Sequence, residues 1–254
     1  MPKKVLIIGD TILDKDVYLK AIGLSLESPT IKTSYCGENI NFGGAANVAR
    51  LASRFGLDIT FVTYMTSKSE ESFLKQNKIK LINLNNKIEN LKTRFYINHG
   101  DEKYKYLQIN NTNNKRHQFN LEENMNKYDI IAFSDYRCGT ISKKMILDSI
   151  KSSAKTFGAS QVSSRESNIE KYQDIDFLVC NKFEATWFSR RKNVIITQGS
   201  KGCEINGVNY QSPLIEVPKN TIGAGDCFYA AFLAYEDPIK ANQRASEYVQ
   251  GIIT

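Results

Sequence analysis

The sequence predicts an α/β protein: a mostly parallel central sheet covered on both faces, with a small β-sheet lid standing off it. Three observations predict this. Short apolar runs alternate with stretches of three- and four-residue apolar spacing along most of the chain, the pattern of strands buried on both faces and joined by helices. Two segments, about 15–38 and 92–109, break that rhythm with short alternating runs of Tyr, Thr and Ile, as suits a half-exposed sheet. No internal repeat or low-complexity linker divides the 254 residues, so residues 1–254 are expected to form one domain, lid included.

Each element follows from its own run of residues. Met1-Pro2-Lys3-Lys4 leads directly into Val5-Leu6-Ile7-Ile8, too short for a signal-peptide core or a membrane span and therefore a buried first strand. Further strands are expected at Ile59 to Thr63, Ile79 to Leu84, Ile130 to Phe133, Phe177 to Val179 and Val194 to Thr197. Helices are expected at Gly44 to Phe55, Ser69 to Lys75, Ile141 to Ser152, Asn181 to Phe188, Ala224 to Tyr235 and Ile239 to Ile252, the last two near the carboxyl edge of the sheet. In the lid, Lys92-Thr93-Arg94-Phe95-Tyr96-Ile97, a turn at His99-Gly100-Asp101 and Lys103-Tyr104-Lys105-Tyr106-Leu107 read as a hairpin.

Composition narrows the function classes. With 41% hydrophobic residues the chain can bury a substantial core, which excludes overall disorder. Cys36, Cys138, Cys180, Cys203 and Cys227 are scattered and odd in number, so neither a disulfide framework nor a structural zinc site is expected, and a reducing cytoplasm is. A net charge of +7 is spread along the chain without a long basic cluster, so neither a nucleic-acid nor a membrane partner is expected. His99 and His117 lack metal-ligand spacing.

The most informative segment is Asn220-Thr221-Ile222-Gly223-Ala224-Gly225-Asp226, followed by an apolar helix. Gly223, Ala224 and Gly225 let the backbone approach a ligand closely, and a helix starting there points N–H groups and its positive dipole end at an anion such as phosphate. From the first turn, Asp226 would reach a substrate hydroxyl and accept its proton during phosphoryl transfer. By itself the string serves equally a helix merely capped by Asp226.

Other strings accompany it in order: Gly9-Asp10-Thr11-Ile12-Leu13-Asp14, Gly43-Gly44-Ala45-Ala46-Asn47, Asn181-Lys182-Phe183-Glu184 and Thr197-Gln198-Gly199-Ser200-Lys201-Gly202. Together they resemble the ribokinase-like (PfkB) carbohydrate kinase family, whose carboxy-terminal signature reads D-T-x-G-A-G-D. The resemblance implies a Rossmann-type three-layer sandwich and transfer of the γ-phosphate of ATP to a carbohydrate hydroxyl. It makes Asp226 the catalytic base and Gly223, Ala224 and Gly225 the anion hole. It places Asp14 and Asn47 on sugar hydroxyls and Gly43 and Gly44 against the ring. It assigns Asn181 and Glu184 to Mg²⁺ and its waters, and Thr197, Gly199 and Gly202 to the nucleotide, although a glycine-rich strand end is also a common hairpin turn. Asn220 departs from the family's first Asp, which bears on metal affinity.

Within the family, Ser134-Asp135-Tyr136 with Gly139, and Lys92 and Arg94 as a K-x-R in the lid, resemble the group acting on D-glycero-D-manno-heptose 7-phosphate. That group phosphorylates the anomeric hydroxyl for lipopolysaccharide precursor synthesis, and the likeness brings Asp135 into the expected substrate site. Two cations on one strand face suit a substrate phosphate, or are ordinary solvated charges. The chain departs at Ala159-Ser160-Gln161-Val162-Ser163-Ser164-Arg165, where that group has a D-P-K-G-like strand end; Arg165 or Arg137 then supplies the positive charge. The short stretch from Glu184 to Val194 trims the expected nucleotide wall. Alternatives are a kinase for another sugar or nucleoside, and an inactive sugar- or nucleotide-binding relative. Exposed lid edges also offer a homodimer interface.

Overall fold

The computed structural model describes residues 1–254 except 86, 100–101, 113–118, 161–168, 188–191, 216–217, 220 and 254. Asn220, His117, Arg165 with the string 161–165, and Gly100 and Asp101 of the expected turn therefore lie outside the described residues, as does the side chain of His99.

The chain opens with β1 (Lys4–Gly9) and sends out a long hairpin of β2 (Thr11–Leu24) and β3 (Ile31–Gly44). It returns through α1 (Ala45–Arg54), β4 (Asp58–Thr63), α2 (Ser67–Gln76) and β5 (Lys80–Asn83), then extends a second hairpin, β6 (Leu91–His99) and β7 (Glu102–Asn111). The remainder runs β8 (Ile130–Asp135), α3 (Lys143–Ile150), β9 (Lys155–Ser160), β10 (Phe177–Asn181), α4 (Lys182–Ala185), β11 (Val194–Thr197), β12 (Cys203–Ile205), β13 (Val208–Tyr210), α5 (Ala224–Tyr235) and α6 (Pro238–Val249).

Two sheets result. The nine-stranded sheet has the order β13-β12-β11-β10-β9-β8-β1-β4-β5, parallel throughout except for the antiparallel edge formed by β12 and β13. The four-stranded lid has the order β3-β2-β6-β7: two antiparallel hairpins joined by a parallel β2–β6 seam. Its strands reach further than the expected 15–38 and 92–109, down to Thr11 and Gly44 at the root.

Period-2 alternation fills both faces of the main sheet. Val5 and Ile7 point into a core shared with Ala45, Ala49, Phe228 and Phe232, while Leu6 and Ile8 point the other way, toward Met145, Ile146 and Tyr172. Helix α5 is apolar on nearly every side because it packs on the sheet and between α1 and α6; Cys227 through Leu233 are all buried. It lies across the sheet face, with only its first turn at the carboxyl edge. Its Phe232 ring meets Phe157 and Phe177 of the strands at centroid distances of 6.2 Å each. Helix α6 starts at Pro238, with Asp237 accepting bonds from the amides of Ile239 and Lys240 at 2.9 and 3.2 Å.

The lid is rooted in buried polar contacts. The Thr11 amide donates to Thr63 Oγ1 at 3.2 Å, Asn90 Nδ2 donates to the Thr11 carbonyl at 2.9 Å, and the Leu13 amide donates to the Asn90 carbonyl at 2.8 Å. On the other side of the root, the Ala45 amide donates to the Asp10 carbonyl at 3.0 Å.

Three strands lacked a sequence signal. Strand β9 carries Gly158, Ala159 and Ser160 in place of branched apolar residues, and β12 and β13 are three residues each. The helix expected from Asn181 to Phe188 is a four-residue turn, Lys182–Ala185, with Phe188 outside the described residues. Among the described residues no helix is long and apolar enough to cross a membrane.

Candidate active site

The first turn of α5 sits at the carboxyl ends of the parallel strands, where open α/β sheets form their ligand crevices. Gly223 caps it at φ 87°, and a Cβ there would lie 2.7 Å from the Tyr248 hydroxyl and 3.0 Å from Asn47 Nδ2. Glycine is thus required on both conformational and steric grounds. The Ala224 amide bonds the Thr221 carbonyl and the Cys227 amide closes the helix on Gly223, so the Gly225 and Asp226 amides belong to the unclosed first turn. A Cβ on Gly225 would meet nothing within 4 Å.

That open side faces a cleft of about 180 Å³, lined by Asp135 and Tyr136 after β8, Asn181 and Glu184 at α4, Thr197 at the end of β11, and Gly225 with Asp226. The backbone donors and dipole end of α5, opposite oxygen-bearing side chains, can hold a polyphosphate.

Asp226 is fixed from two sides. Asn47 Nδ2 donates to its Oδ2 at 3.0 Å, and the Tyr136 hydroxyl donates to its Oδ1. Asn47 is itself oriented by Arg50 Nη2, 2.7 Å from its Oδ1. Burial of the carboxyl group pushes the Asp226 pKa up to about 6, against the pull of the Asn47 and Tyr136 hydrogen bonds. A carboxyl with that affinity is ionised at neutral pH and close enough to it to accept a proton efficiently.

The lid brings further charges to Asp226, on which Asp14 and Lys92 act electrostatically. Asp14 and Asp16 of β2 stand opposite Lys92 and Arg94 of β6. Arg94 is only 8% exposed and reaches Asp14 at 2.8 Å and Asp16 at 3.5 Å. Burial raises the Asp14 pKa, with the cations of Arg94 and Lys92 opposing. A Cβ on Gly43 would fall 2.2 Å from Asp14 Oδ2, and one on Gly44, at φ 62°, 2.5 Å from the Asp10 carbonyl. The Gly43-Gly44 pair therefore lets β3 lie flat against the carboxylate at the lid root.

Two further carboxylates organise the loop after β8. Asp10, fully buried, accepts the amides of Tyr136, Cys138 and Thr140 at 2.9, 3.1 and 2.9 Å. Its burial, helped by the nearby Asp135 charge, pushes its pKa up to about 6. Asp135 is held by the Arg137 amide, the Tyr172 hydroxyl and Lys171 Nζ at 2.8, 2.7 and 2.6 Å. Burial opposes its ionisation, but the Lys171 charge and these hydrogen bonds outweigh it and lower its pKa.

At the start of α4, Asn181 and Glu184 form a reciprocal capping box: each side chain accepts the other's amide at 2.8 Å. The pair offers hard oxygen donors at the cleft. No group of three or more His, Cys, Asp or Glu suited to a metal exists among the described residues. Such a donor set fits a Mg²⁺ ion that keeps waters and phosphate oxygens as most of its ligands. Thr197 lines the cleft, whereas Gly199 and Gly202 form the turn between β11 and β12 outside it. A Cβ on Gly202 would lie 2.0 Å from the Tyr210 carbonyl, so that glycine serves the approach of β13.

The structure thus gathers Asp226, Gly225, Asp135, Asn181, Glu184 and Thr197 in one cleft, with Asn47 bonded to Asp226 and Asp14 and Lys92 within electrostatic reach of it. Residue spacing did not single out Arg50 or Tyr248, or the bond from Tyr136. The contacts of Tyr248 and Tyr136 join positions far apart in the chain, and Arg50 acts through Asn47 three residues before it; Tyr136, quoted within Ser134-Asp135-Tyr136, was the one legible signal.

A sequence model of the pfkB family carbohydrate kinases matches residues 2–235. Among curated proteins, the bifunctional protein HldE of Aliarcobacter butzleri is 27% identical over 192 residues, 71% of this chain and 40% of that protein; the chain therefore spans less than half of that relative. Among solved structures, ribokinase of Arabidopsis thaliana with ribose and ATP superposes with a TM-score of 0.75 at 16% identity, covering 98% of this chain and 93% of that one. The tetrameric inhibited form of Escherichia coli phosphofructokinase-2 gives 0.69 at 15% identity, with 98% and 95% covered. The nucleoside kinase of Methanocaldococcus jannaschii gives 0.66 at 18%, with 98% and 93% covered. At these identities the likeness is one of fold.

Proposed function

Because this chain belongs to the pfkB family of carbohydrate kinases and has their ribokinase-like fold, we propose that residues 1–254 act as one ATP-dependent kinase domain. Its reaction moves the γ-phosphate of ATP to a hydroxyl of a small carbohydrate. The observation that carries this reading is the Asp226 carboxylate, held by Asn47 and Tyr136 at the helix end that presents free amides to the cleft.

The residues divide the work. The Gly225 and Asp226 amides and the α5 dipole stabilise charge on the transferred group, the main source of rate in phosphoryl transfer. Asp226 takes the proton of the acceptor hydroxyl. Asp14, presented by β2 over Gly43, and Asn47 hold the sugar's other hydroxyls. Asn181 and Glu184 would hold a divalent metal, taken here as Mg²⁺, which supplies charge neutralisation of the phosphates. The lid covers the sugar and excludes water. The reaction is placed in the cytoplasm, consistent with five free cysteines.

For the acceptor, a heptose 7-phosphate is supported by the likeness to HldE and by Lys92, whose ammonium acts electrostatically on both Asp14 and Asp226. An acceptor without phosphate is favoured by a different observation: Arg94, the other cation of that strand face, is committed to Asp14 and Asp16. A coupled ADP assay over D-glycero-D-manno-heptose 7-phosphate, fructose 6-phosphate, ribose and adenosine decides between them. We expect the heptose phosphate to be turned over fastest; ADP release with none of the four would sink the kinase reading.

The lid also exposes Ile31, Tyr35, Ile40, Tyr104, Tyr106 and Ile109, an apolar display that suits a second copy of this chain. Sedimentation is expected to show a dimer that Tyr104→Lys with Tyr106→Lys dissociates. A wild-type monomer at micromolar concentration would discard that interface.

A further inference from the structure

We propose that Tyr136 is a positioning residue for phosphoryl transfer: its phenol holds one oxygen of the Asp226 carboxylate, fixing the direction in which the carboxylate faces the acceptor and favouring its ionised form. The proposal rests on the reading of Asp226 as the base.

The geometry is built rather than incidental. Tyr136 follows β8 immediately, and its amide is anchored 2.9 Å from Asp10 Oδ2. The amides of Cys138 and Thr140 are anchored on the same carboxylate, and that of Arg137 on Asp135. Buried carboxylates thus grip the loop at four of its five amides from Tyr136 to Thr140, leaving the Tyr136 ring little freedom. A phenol has one proton to donate, and this one goes to Asp226 Oδ1, while Asn47 of α1 occupies Oδ2. The carboxylate is clamped between two elements that meet only in the folded chain.

Other charged and titratable groups face this pair from every side. Asp14 of β2 and Lys92 of β6 act on Asp226 from the lid, and Arg50 of α1 acts through Asn47. Tyr248 of α6 and Cys227 of α5 lie beside them, and Glu184 of α4 acts on Tyr136. Among these, Tyr136 and Asn47 are the hydrogen-bond donors that hold the Asp226 pKa down against burial. Burial and the Asp226 charge push the phenol's own pKa well above its ordinary value, so Tyr136 keeps its proton. As the new O–P bond forms and the bond to the ADP oxygen breaks, the acceptor's proton goes to Asp226, while Tyr136 keeps the carboxylate in the orientation that receives it.

The test is a ¹³C-carboxyl NMR titration of the full chain without ligands, with the Asp226 signal assigned by its loss in Asp226→Asn. A midpoint near 6 is expected for wild type. In Tyr136→Phe it should rise by about one pH unit, the scale of a lost hydrogen bond to a charged group. With the best acceptor of the panel, the acid limb of kcat should move with it and kcat should fall on the order of tenfold, the KM for ATP staying constant. If Tyr136→Phe does not fold, 3-fluorotyrosine at position 136, a stronger donor, must lower the midpoint instead. An unmoved midpoint together with an inactive Asp226→Asn overturns the role of Tyr136 alone; an Asp226→Asn enzyme of near wild-type turnover overturns both.

Discussion

Replacement of Asp226 by Asn is expected to lower turnover by at least about 10²-fold, the usual contribution of a positioned general base, without unfolding the chain. The amide keeps the shape of the carboxylate and can still accept from Tyr136, whereas it takes up no proton from the acceptor. Asn47 loses an acceptor in the exchange, a local cost that the buried charge no longer adds to. The wild-type pH profile should carry the same signature. A base with a pKa of about 6 is protonated below that value, so turnover should fall roughly tenfold per pH unit on the acid side and level off above 7. ADP release measured from pH 5 to 8, beside circular dichroism of both proteins, checks this. A flat acid limb would remove Asp226 from the chemistry.

The largest effect on stability is expected at Asp10. Asp10→Ala strips the acceptor from the amides of Tyr136, Cys138 and Thr140, of which the last two belong to fully buried residues. Each orphaned donor costs about 1–3 kcal/mol. Relief of the buried charge recovers part of this, since burial and Asp135 already disfavour the ionised form. A net loss on the order of 3 kcal/mol remains, and a fall in Tm of roughly 6–12 °C is expected for a chain of this size. Asp10→Asn, which keeps one acceptor oxygen, should fall between. Thermal melts measure both, and an Ala variant within about 2 °C of wild type would show that the loop finds other partners.

Most of the architecture was legible in the sequence because burial on two faces writes unbroken apolar runs. Val5 to Ile8 is such a run, and its alternate residues feed the two separate cores. Where that pressure is absent the signal vanishes. Strand β9 meets the ring of Tyr172 and the side chain of Ile175 at Gly158, leaving no space for a branched residue, and the edge strands β12 and β13 are held by pairing more than by burial.

The site divides similarly. Gly223, Gly225 and Asp226 are adjacent in the chain, so one short string displays the helix start. The clamp on Asp226 draws on residues 90 and 179 positions away; the motif displayed Asn47, but nothing local in a tyrosine announces such a partner. The Lys92 and Arg94 pair shows the limit from the other side. Their spacing places both on one face, but only the folded register reveals that Arg94 spends its charge on Asp14 and Asp16.

The parallel seam between β2 and β6 decides where the lid is able to bend. Its foot is tied down by bonds among Thr11, Leu13, Asn90 and Thr63 and by the Ala45 amide on the Asp10 carbonyl, so swinging there would break hydrogen bonds between buried groups. The seam itself keeps an unbroken register from Leu13 to Lys20, while the two flanking hairpins first lose theirs at Tyr18/Leu19 and Phe95/Tyr96. Asp14, Asp16 and Arg94 all sit below those irregularities, on the stiff portion. If Asp14 holds sugar hydroxyls as proposed, the acceptor meets a carboxylate already fixed by Arg94 rather than one that has to be ordered on binding.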